Sequence, residues 1–296
     1  MGFSRERIEY KTLDQIRVMR KAGLVVAAIH EAIKTEARAG MTTANLDAIS
    51  RRVLASHSAT SNFLGYDGFP ATICVSVNDE VVHGIPGPRI LHNGDVISVD
   101  AGAIVKGDGR IGWHGDAAQS WILGVPDEPC DQTLIGAATI NNDKLLVCAT
   151  EAAMWAGIAA LAQGRKVGDV GVAVERTLEV VRTATGRELG IVTEYEGHGI
   201  GTAMHQPPGV PNYACTSAGP KLRVGMCLAI EPMITLGTGE TRDLDDGWTV
   251  VTTDGTRAAH FEHTVAILPD GITVLTAPDA GVSKLAPLGV EAVVID

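Results

Sequence analysis

The chain has 296 residues, 45% of them hydrophobic and 20% charged, an ordinary soluble globular composition with length enough for one large core or two fused halves. Its formal net charge of −11 argues against nucleic acid or an anionic membrane as partner, since an acidic face is repelled by both. Five cysteines, at 74, 130, 148, 215 and 227, form no CxxC pair and are odd in number, so no disulfide framework is expected and a reducing, cytoplasmic compartment is.

The N-terminus, MGFSRERIEYKTLDQ, has no apolar stretch behind its charges and is not read as a secretory signal. Glu6 stands where a myristoylation signal needs Ser or Thr, and no uncharged apolar run approaches the length of a membrane span. Thr12-Leu-Asp-Gln15 then reads as a capping box, and Ile16, Met19, Gly23, Val26 and Ile33 keep a roughly helical period up to Gly40. Inside this helix His30-Glu31 opens like the zinc-protease signature HExxH, but Lys34 holds the fifth position, so His30 is read as a plain helix residue. Thr42 and Thr43 cap a second helix carrying Leu46, Ile49 and Val53, which ends before the Ser-rich turn at 56–61.

Strands are expected at 72–76 and 96–105, with GIPGPR and HNGD as the turns between them. A second helix pair follows at about 138–162 and 168–185, closed by Gly186, and then strands near 190–194, 226–233, 248–253 and 260–268. The tail, 269–296, alternates short apolar pieces with Gly and Pro and shows no recognisable chemistry. Helix, helix, strands thus occurs twice, and laying Gly40 over Gly164 matches Arg52 with Arg176 and Leu54 with Leu178. The expectation is one catalytic domain, 1–296, with pseudo-symmetric halves at about 12–130 and 131–268 and a site at their junction.

The chemistry centres on VISVDAGAIVKGDGRIGWHGD, residues 96–116. Asp100 ends an apolar run and Asp116 follows a Gly-rich connection, so a hairpin would bring both carboxylates together, where one takes up a proton unless a cation neutralises them. Four other stretches carry polar residues in unusual settings. His83 lies in NDEVVHGIPG, and His198 in GHGIG between glycines that let the backbone crowd a ligand. Glu231 lies in CLAIEPMI and Glu262 in HFEHTVAIL, each read as inside an apolar strand. Two Asp, one His and two Glu form a hard, oxygen-rich set. Its four carboxylates carry a charge that two divalent ions balance, and the imidazole favours Mn, Fe, Co or Zn over Mg or Ca.

Six ordered blocks, FPATICVSVNDEVVHGIPG, GDVISVDAGA, GWHGDAAQ, GHGIGTAMHQPPGVPNY, GMCLAIEPMI and FEHTVAI, make the chain resemble the methionine aminopeptidases of the short bacterial type (type I) from about Thr12 to Leu268. The resemblance implies an α+β pita-bread fold, with pseudo-twofold halves sharing a curved, mixed but mainly antiparallel sheet and helices on its outer face. It implies two divalent metal ions (Co, Mn, Fe or Zn), with Asp100 chelating one, Asp116 and Glu262 bridging both, and His198 and Glu231 holding the other. His83 would face the scissile amide nitrogen and His205 the carbonyl oxygen, with Glu231 as proton acceptor and shuttle. Tyr66, Phe69, Cys74 and Trp248 would line the methionine pocket, while Phe63 is equally well a core residue.

Three departures from the family pattern stand out. The link between Asp100 and Asp116 (VKGDGRIG) is longer than usual, Met204 replaces a common aromatic before His205, and Gln206 replaces a usual acid. The implied activity is removal of N-terminal methionine from nascent proteins and peptides with a small second residue. The alternative is a proline-specific peptidase of the same fold (X-Pro aminopeptidase or prolidase), disfavoured because about a dozen residues precede the first helix. A non-catalytic binding protein is disfavoured because every ligand position is filled. Expected partners are nascent polypeptide N-termini as substrate and at most transient ribosome contact, with no specific nucleic acid and no membrane; a cytoplasmic monomer is expected.

Overall fold

The computed structural model describes residues 7–107, 111–126, 130 and 140–296. The tip of the Asp100–Asp116 hairpin and the expected start of the second helix pair near 138 lie outside these residues.

Helix α1 (Leu13–Glu36) starts at the expected capping box: the Thr12 hydroxyl accepts from the Gln15 N–H, and the Gln15 side chain accepts from the Thr12 N–H at 2.8 Å. Helix α2 (Thr43–Ser56) repeats the device with Thr42 and Asn45. Their apolar faces, with Val26, Ile29, Ile33, Leu46 and Ile49, close on the hairpin of β4 (Val96–Lys106) and β5 (Gly112–Ile122) through Val99, Ala101 and Ala117. Gly23 permits the approach of α1 to the C-terminal chain, because a Cβ there would stand 2.2 Å from the Leu275 carbonyl oxygen. In this sheet β4 pairs with β5 along one edge, and on the other with β2 (Ile73–Val77) over 97–101 and β1 (Thr60–Ser61) over 103–104, all antiparallel.

The second helix pair, α3 (Asn142–Gln163) and α4 (Asp169–Thr185), shares a core with Leu228, Ile230 and Val265. Those residues belong to β9 (Cys227–Ile230) and β14 (His263–Leu268), in a sheet ordered β15-β14-β9-β7-β8. Its other members are β7 (Gly197–Gly199), β8 (Gln206–Val210) and β15 (Gly271–Val274). By length and composition α3 is apolar enough to cross a membrane, but Leu145, Leu146, Met154 and Ile158 are fully buried in this core. Two small antiparallel sheets complete the fold. One is β13 (Ala258–His260), β10 (Met233–Thr235) and β6 (Gly190–Ile191); the other is β11 (Thr241–Asp243), β12 (Val250–Thr252) and β3 (Glu80–Val82).

One expectation changes. Cys130 and Cys148 are joined by a disulfide, where no disulfide was expected from the odd count and the absence of a CxxC pair; their Cα atoms are 5.1 Å apart, which spacing along the sequence does not reveal. Segment 269–296 packs on the rest of the chain: β15 pairs with β14, and buried Arg20 of α1 donates to the carbonyls of Val274, Leu275, Ala277 and Pro278. That guanidinium satisfies carbonyls that β-pairing leaves open.

The two main sheets meet along β5 and the chain from β13 to β14. Ala118 and Glu262 exchange main-chain hydrogen bonds at 3.2 and 2.9 Å. On one side of this pair the Thr264 hydroxyl bonds both the N–H and the carbonyl of Asp116; on the other the Ser120 hydroxyl does the same for His260. Side-chain hydroxyls thus continue the ladder where main-chain partners stop.

Candidate metal centre

The hairpin register explains the two aspartates. Asp100 is paired with Ala118 and Gly102 with Asp116, so the aspartates are diagonal neighbours on one face of the sheet. Gly102 leaves that face open beneath Asn62, whose side chain a Cβ would meet at 2.4 Å, and Asn62 donates to the Gly115 carbonyl beside Asp116. On the other side of β4, Cys74 is paired with Asp100.

Neither glutamate lies within a strand, as the sequence reading had it. Glu231 and Pro232 form the break between β9 and β10, and Phe261 and Glu262 the break between β13 and β14. Pro232 has no N–H for a ladder, and the partner chain changes sheets at the same level, pairing Met233 with His260 but Ile230 with His263. Both carboxylates therefore turn inward at a bend. The glycines around His198 also serve another purpose than crowding a ligand. A Cβ on Gly197 or Gly199 would lie 2.3 Å from the carbonyl of Ala229 or Pro207, so these glycines let neighbouring backbone close in.

All five predicted ligands face one cavity of about 110 Å³, together with His83, His205 and His260. Asp116, His198 and Glu262 present ligand atoms that all lie within 4.8 Å of one another, and His198 Nε2 is 3.3 Å from Glu231 Oε1. The Nδ1 of His198 donates to the Gly199 carbonyl at 3.0 Å, which directs the Nε2 lone pair into the cavity.

Charge is the dominant feature. Oδ1 of Asp100 and of Asp116 and Oε1 of Glu231 and of Glu262 are buried without a hydrogen-bond partner. Burial, joined by the neighbouring carboxylates, holds Asp116 and Glu262 well above the usual carboxylate range. Burial likewise pushes Asp100 to about 7 against the pull of His260, and Glu231 to about 7 against that of His198. No Lys or Arg lines the cavity among the described residues. Orphaned hard oxygens with one imidazole and no protein cation are the donor set that a divalent metal satisfies.

The pocket residues adjoin this cluster. Phe69 meets Trp248 edge to face at 5.1 Å and Phe63 at 6.3 Å, with buried Cys74 and Met204 packed among them. Met204, the residue in place of a common aromatic, is thus a wall of the pocket, and Phe63 lines it too. At the mouth the Tyr66 hydroxyl lies 2.8 Å from His205 Nδ1. His83, left-handed at φ 60°, packs its ring against Tyr195 and Trp248, and burial, with His260 nearby, lowers its pKa to about 4. Gln206 accepts from the buried Lys11 ammonium at 3.3 Å and donates to Thr202 at 3.1 Å, while Glu9 supplies the acid beside that lysine.

His260, Thr264 and Asn62 escaped the sequence reading. The signal for His260 was present, two residues before Glu262 in HFEH and so on the same face of an extended chain.

The model of Metallopeptidase family M24 matches residues 17–269. Methionine aminopeptidase 1 of Mycobacterium tuberculosis (strain CDC 1551 / Oshkosh) is 44% identical over 273 residues, 92% of this chain and 96% of that protein. The chain belongs to metallopeptidase family M24 and, within it, to the methionine aminopeptidases. The crystal structure of the methionine aminopeptidase from Thermotoga maritima superposes on this M24 chain with a TM-score of 0.80 at 35% identity, covering 91% of this chain and 99% of that one. A prolidase from Pyrococcus furiosus shares the pita-bread fold alone, at a TM-score of 0.65 and 16% identity over 90% of this chain and 65% of its own. This M24 member is therefore a metal-dependent aminopeptidase acting on N-terminal methionine, and the proline-specific alternative is not favoured.

Proposed function

We propose that the centre holds two divalent ions and removes the initiator methionine from nascent chains with a small second residue. Supporting this is one observation above the others: four carboxylates with orphaned buried oxygens and one imidazole surround a cavity that opens onto an aromatic pocket. Asp100 would hold one ion and His198 and Glu231 the other, with Asp116 and Glu262 available to both. Such ions would supply Lewis-acid activation of water and of the scissile carbonyl; Co, Mn, Fe and Zn all suit the donors.

Glu231 takes up the proton that the attacking water loses and passes it to the leaving amine. His205 is assigned to donate from Nε2 to the carbonyl oxygen as that oxygen gains charge, a role in which its Nδ1 accepts from the Tyr66 hydroxyl 2.8 Å away. His83, held neutral by burial, faces the scissile nitrogen. Phe69, Cys74, Met204 and Trp248 receive the thioether side chain, with Tyr66 at its entrance. Tyr66, His83 and His205 line the same cavity, and the second residue of the substrate is assigned to the space beside them.

Halves at 12–130 and 131–268 are read as an ancient duplication within one domain. A cytoplasmic monomer with transient ribosome contact suits the substrate, although the Cys130–Cys148 bond removes the cysteine-based argument for a reducing compartment. The test is release of the first residue from Met-Ala-Ser and from an Ala-Pro peptide, in metal-free protein and after titration with each divalent ion. Methionine release that reaches its plateau at two ions per chain is expected; a plateau at one ion refutes the dinuclear assignment, and cleavage of X-Pro alone refutes the substrate.

A further inference from the structure

Glu231 stands between two imidazoles. His198 Nε2 is 3.3 Å from Oε1, and His260 Nε2 is 3.7 Å from Oε2. His260 lines the same cavity as the ligands, is 2% exposed, and its Nε2 has no hydrogen-bond partner. A buried polar nitrogen left without a partner is destabilising, so a histidine at this point calls for an interaction the cavity supplies.

The two rings are placed differently. Like Asp100 and Glu231, His260 is not in the group of ligand atoms that His198 forms with Asp116 and Glu262. Its nearest charged atom is the second oxygen of Glu231, the one turned away from His198. The separation is about half an ångström beyond the long end of a normal N–H···O bond, roughly 3.2 Å, which a small side-chain rotation closes.

The main chain beneath the ring is held on both sides. Ser120 Oγ accepts from the His260 N–H at 2.9 Å, donates to its carbonyl at 2.8 Å, and is bonded to Ser98 Oγ at 2.6 Å. Three strands therefore fix where the imidazole starts; Glu231, at 3.7 Å, is the carboxylate in reach of its Nε2, and Asp100 is a second one close enough to act on its charge.

We propose that His260 is a positioning residue: its Nε2–H donates to Glu231 Oε2 and orients the carboxylate so that Oε1 faces His198 and the metal side. The proposal rests on the reading of Glu231 as ligand and proton acceptor. Partners of this outer kind are worth roughly 10- to 100-fold in metal affinity or turnover.

Three substitutions at 260 and one at 231 decide it. His260→Leu and His260→Met remove the donor and keep apolar bulk, so that one failing to fold leaves the other; His260→Gln keeps an N–H. We expect kcat on Met-Ala-Ser to fall about 10- to 100-fold in the apolar variants with KM nearly unchanged. Affinity for Mn(II), followed by its spin resonance in titrations of metal-free protein, should fall in parallel, and Gln should restore most of both. Equal losses in Gln and in the apolar variants, or apolar variants with wild-type turnover and metal affinity, overturn the proposal. Glu231→Gln separates the two layers: if it remains active, the role given to Glu231 falls, whereas an inactive Glu231→Gln beside a fully active His260→Leu sinks the positioning role alone.

Discussion

Thr264 Oγ1 accepts the N–H of Asp116 at 3.1 Å and donates to the Asp116 carbonyl at 2.8 Å, so one hydroxyl satisfies both main-chain groups of a proposed bridging residue. Asp116 and Thr264 are 3% and 0% exposed, and water offers no replacement. Thr264→Val keeps the side-chain shape and leaves both groups of Asp116 unpaired. A loss of about 1–3 kcal/mol is expected, read as a lower melting temperature of the metal-free protein, together with weaker metal binding. Thr264→Ser should recover most of the loss, and a valine variant with unchanged melting and metal affinity contradicts this role.

Metal loading should release protons. Burial and mutual repulsion hold Asp116 and Glu262 well above the usual carboxylate range, and Asp100 and Glu231 sit near 7, so metal-free protein at neutral pH retains protons on this cluster. Cations displace those protons, and apparent affinity therefore rises with pH from 6 to 8. Calorimetric titration in buffers of different ionisation heats reads the proton count directly. Zero protons released at pH 7 would show that the carboxylates are already ionised.

Much of this centre was legible from residue order alone because its parts obey local rules. The capping boxes at Thr12 and Thr42 are set by residues three positions apart, and the closeness of Asp100 and Asp116 by a hairpin of consecutive strands. What escaped depends on contacts between distant segments. Thr264 and Ser120 act on residues 148 and 140 positions away, and a hydroxyl in a strand carries no mark of such a bond. The inward turn of Glu231 and Glu262 arises from a change of sheet at a shared level, which alternation along either strand conceals. The Cys130–Cys148 bond likewise depends on where the fold places the two Cα atoms, 5.1 Å apart, not on cysteine spacing.

The segment around Glu9 and Lys11 acts as a strap on the loop that carries His205. Glu9 accepts from the Thr202 N–H at 3.1 Å and from its hydroxyl at 2.9 Å, and Lys11 reaches Gln206. Glu9→Ala frees the loop and strands the buried ammonium. Turnover is expected to drop several-fold with metal content unchanged, because His205 is displaced and the ligands are not. Gln206→Glu places a second acid beside Lys11, which already has Glu9 as its anionic partner, and is expected to leave turnover within about twofold. A Glu9→Ala enzyme with wild-type kinetics removes the strap from the account of catalysis.

His30 gives the fold a pH dependence of its own. Its Nε2 lies 2.9 Å from the Ala117 carbonyl, and burial lowers its pKa to about 4, opposed by that hydrogen bond and reinforced by Lys34. A histidine depressed in the native state is protonated first in the unfolded chain, near 6.5. Between these values the unfolded state binds more protons, so stability is lost as pH falls from 6.5 towards 4 and is unaffected by this group above 6.5. At pH 5 the contribution amounts to about 2 kcal/mol, from one and a half pH units below the unfolded pKa at roughly 1.36 kcal/mol each. His30→Gln keeps an N–H for the Ala117 carbonyl and cannot titrate. Denaturant unfolding of both proteins at pH 7 and pH 5 isolates the term, since other groups change alike in each. The variant should lose about 2 kcal/mol less than the parent on acidification, and equal losses would mean that His30 is not held neutral by its surroundings.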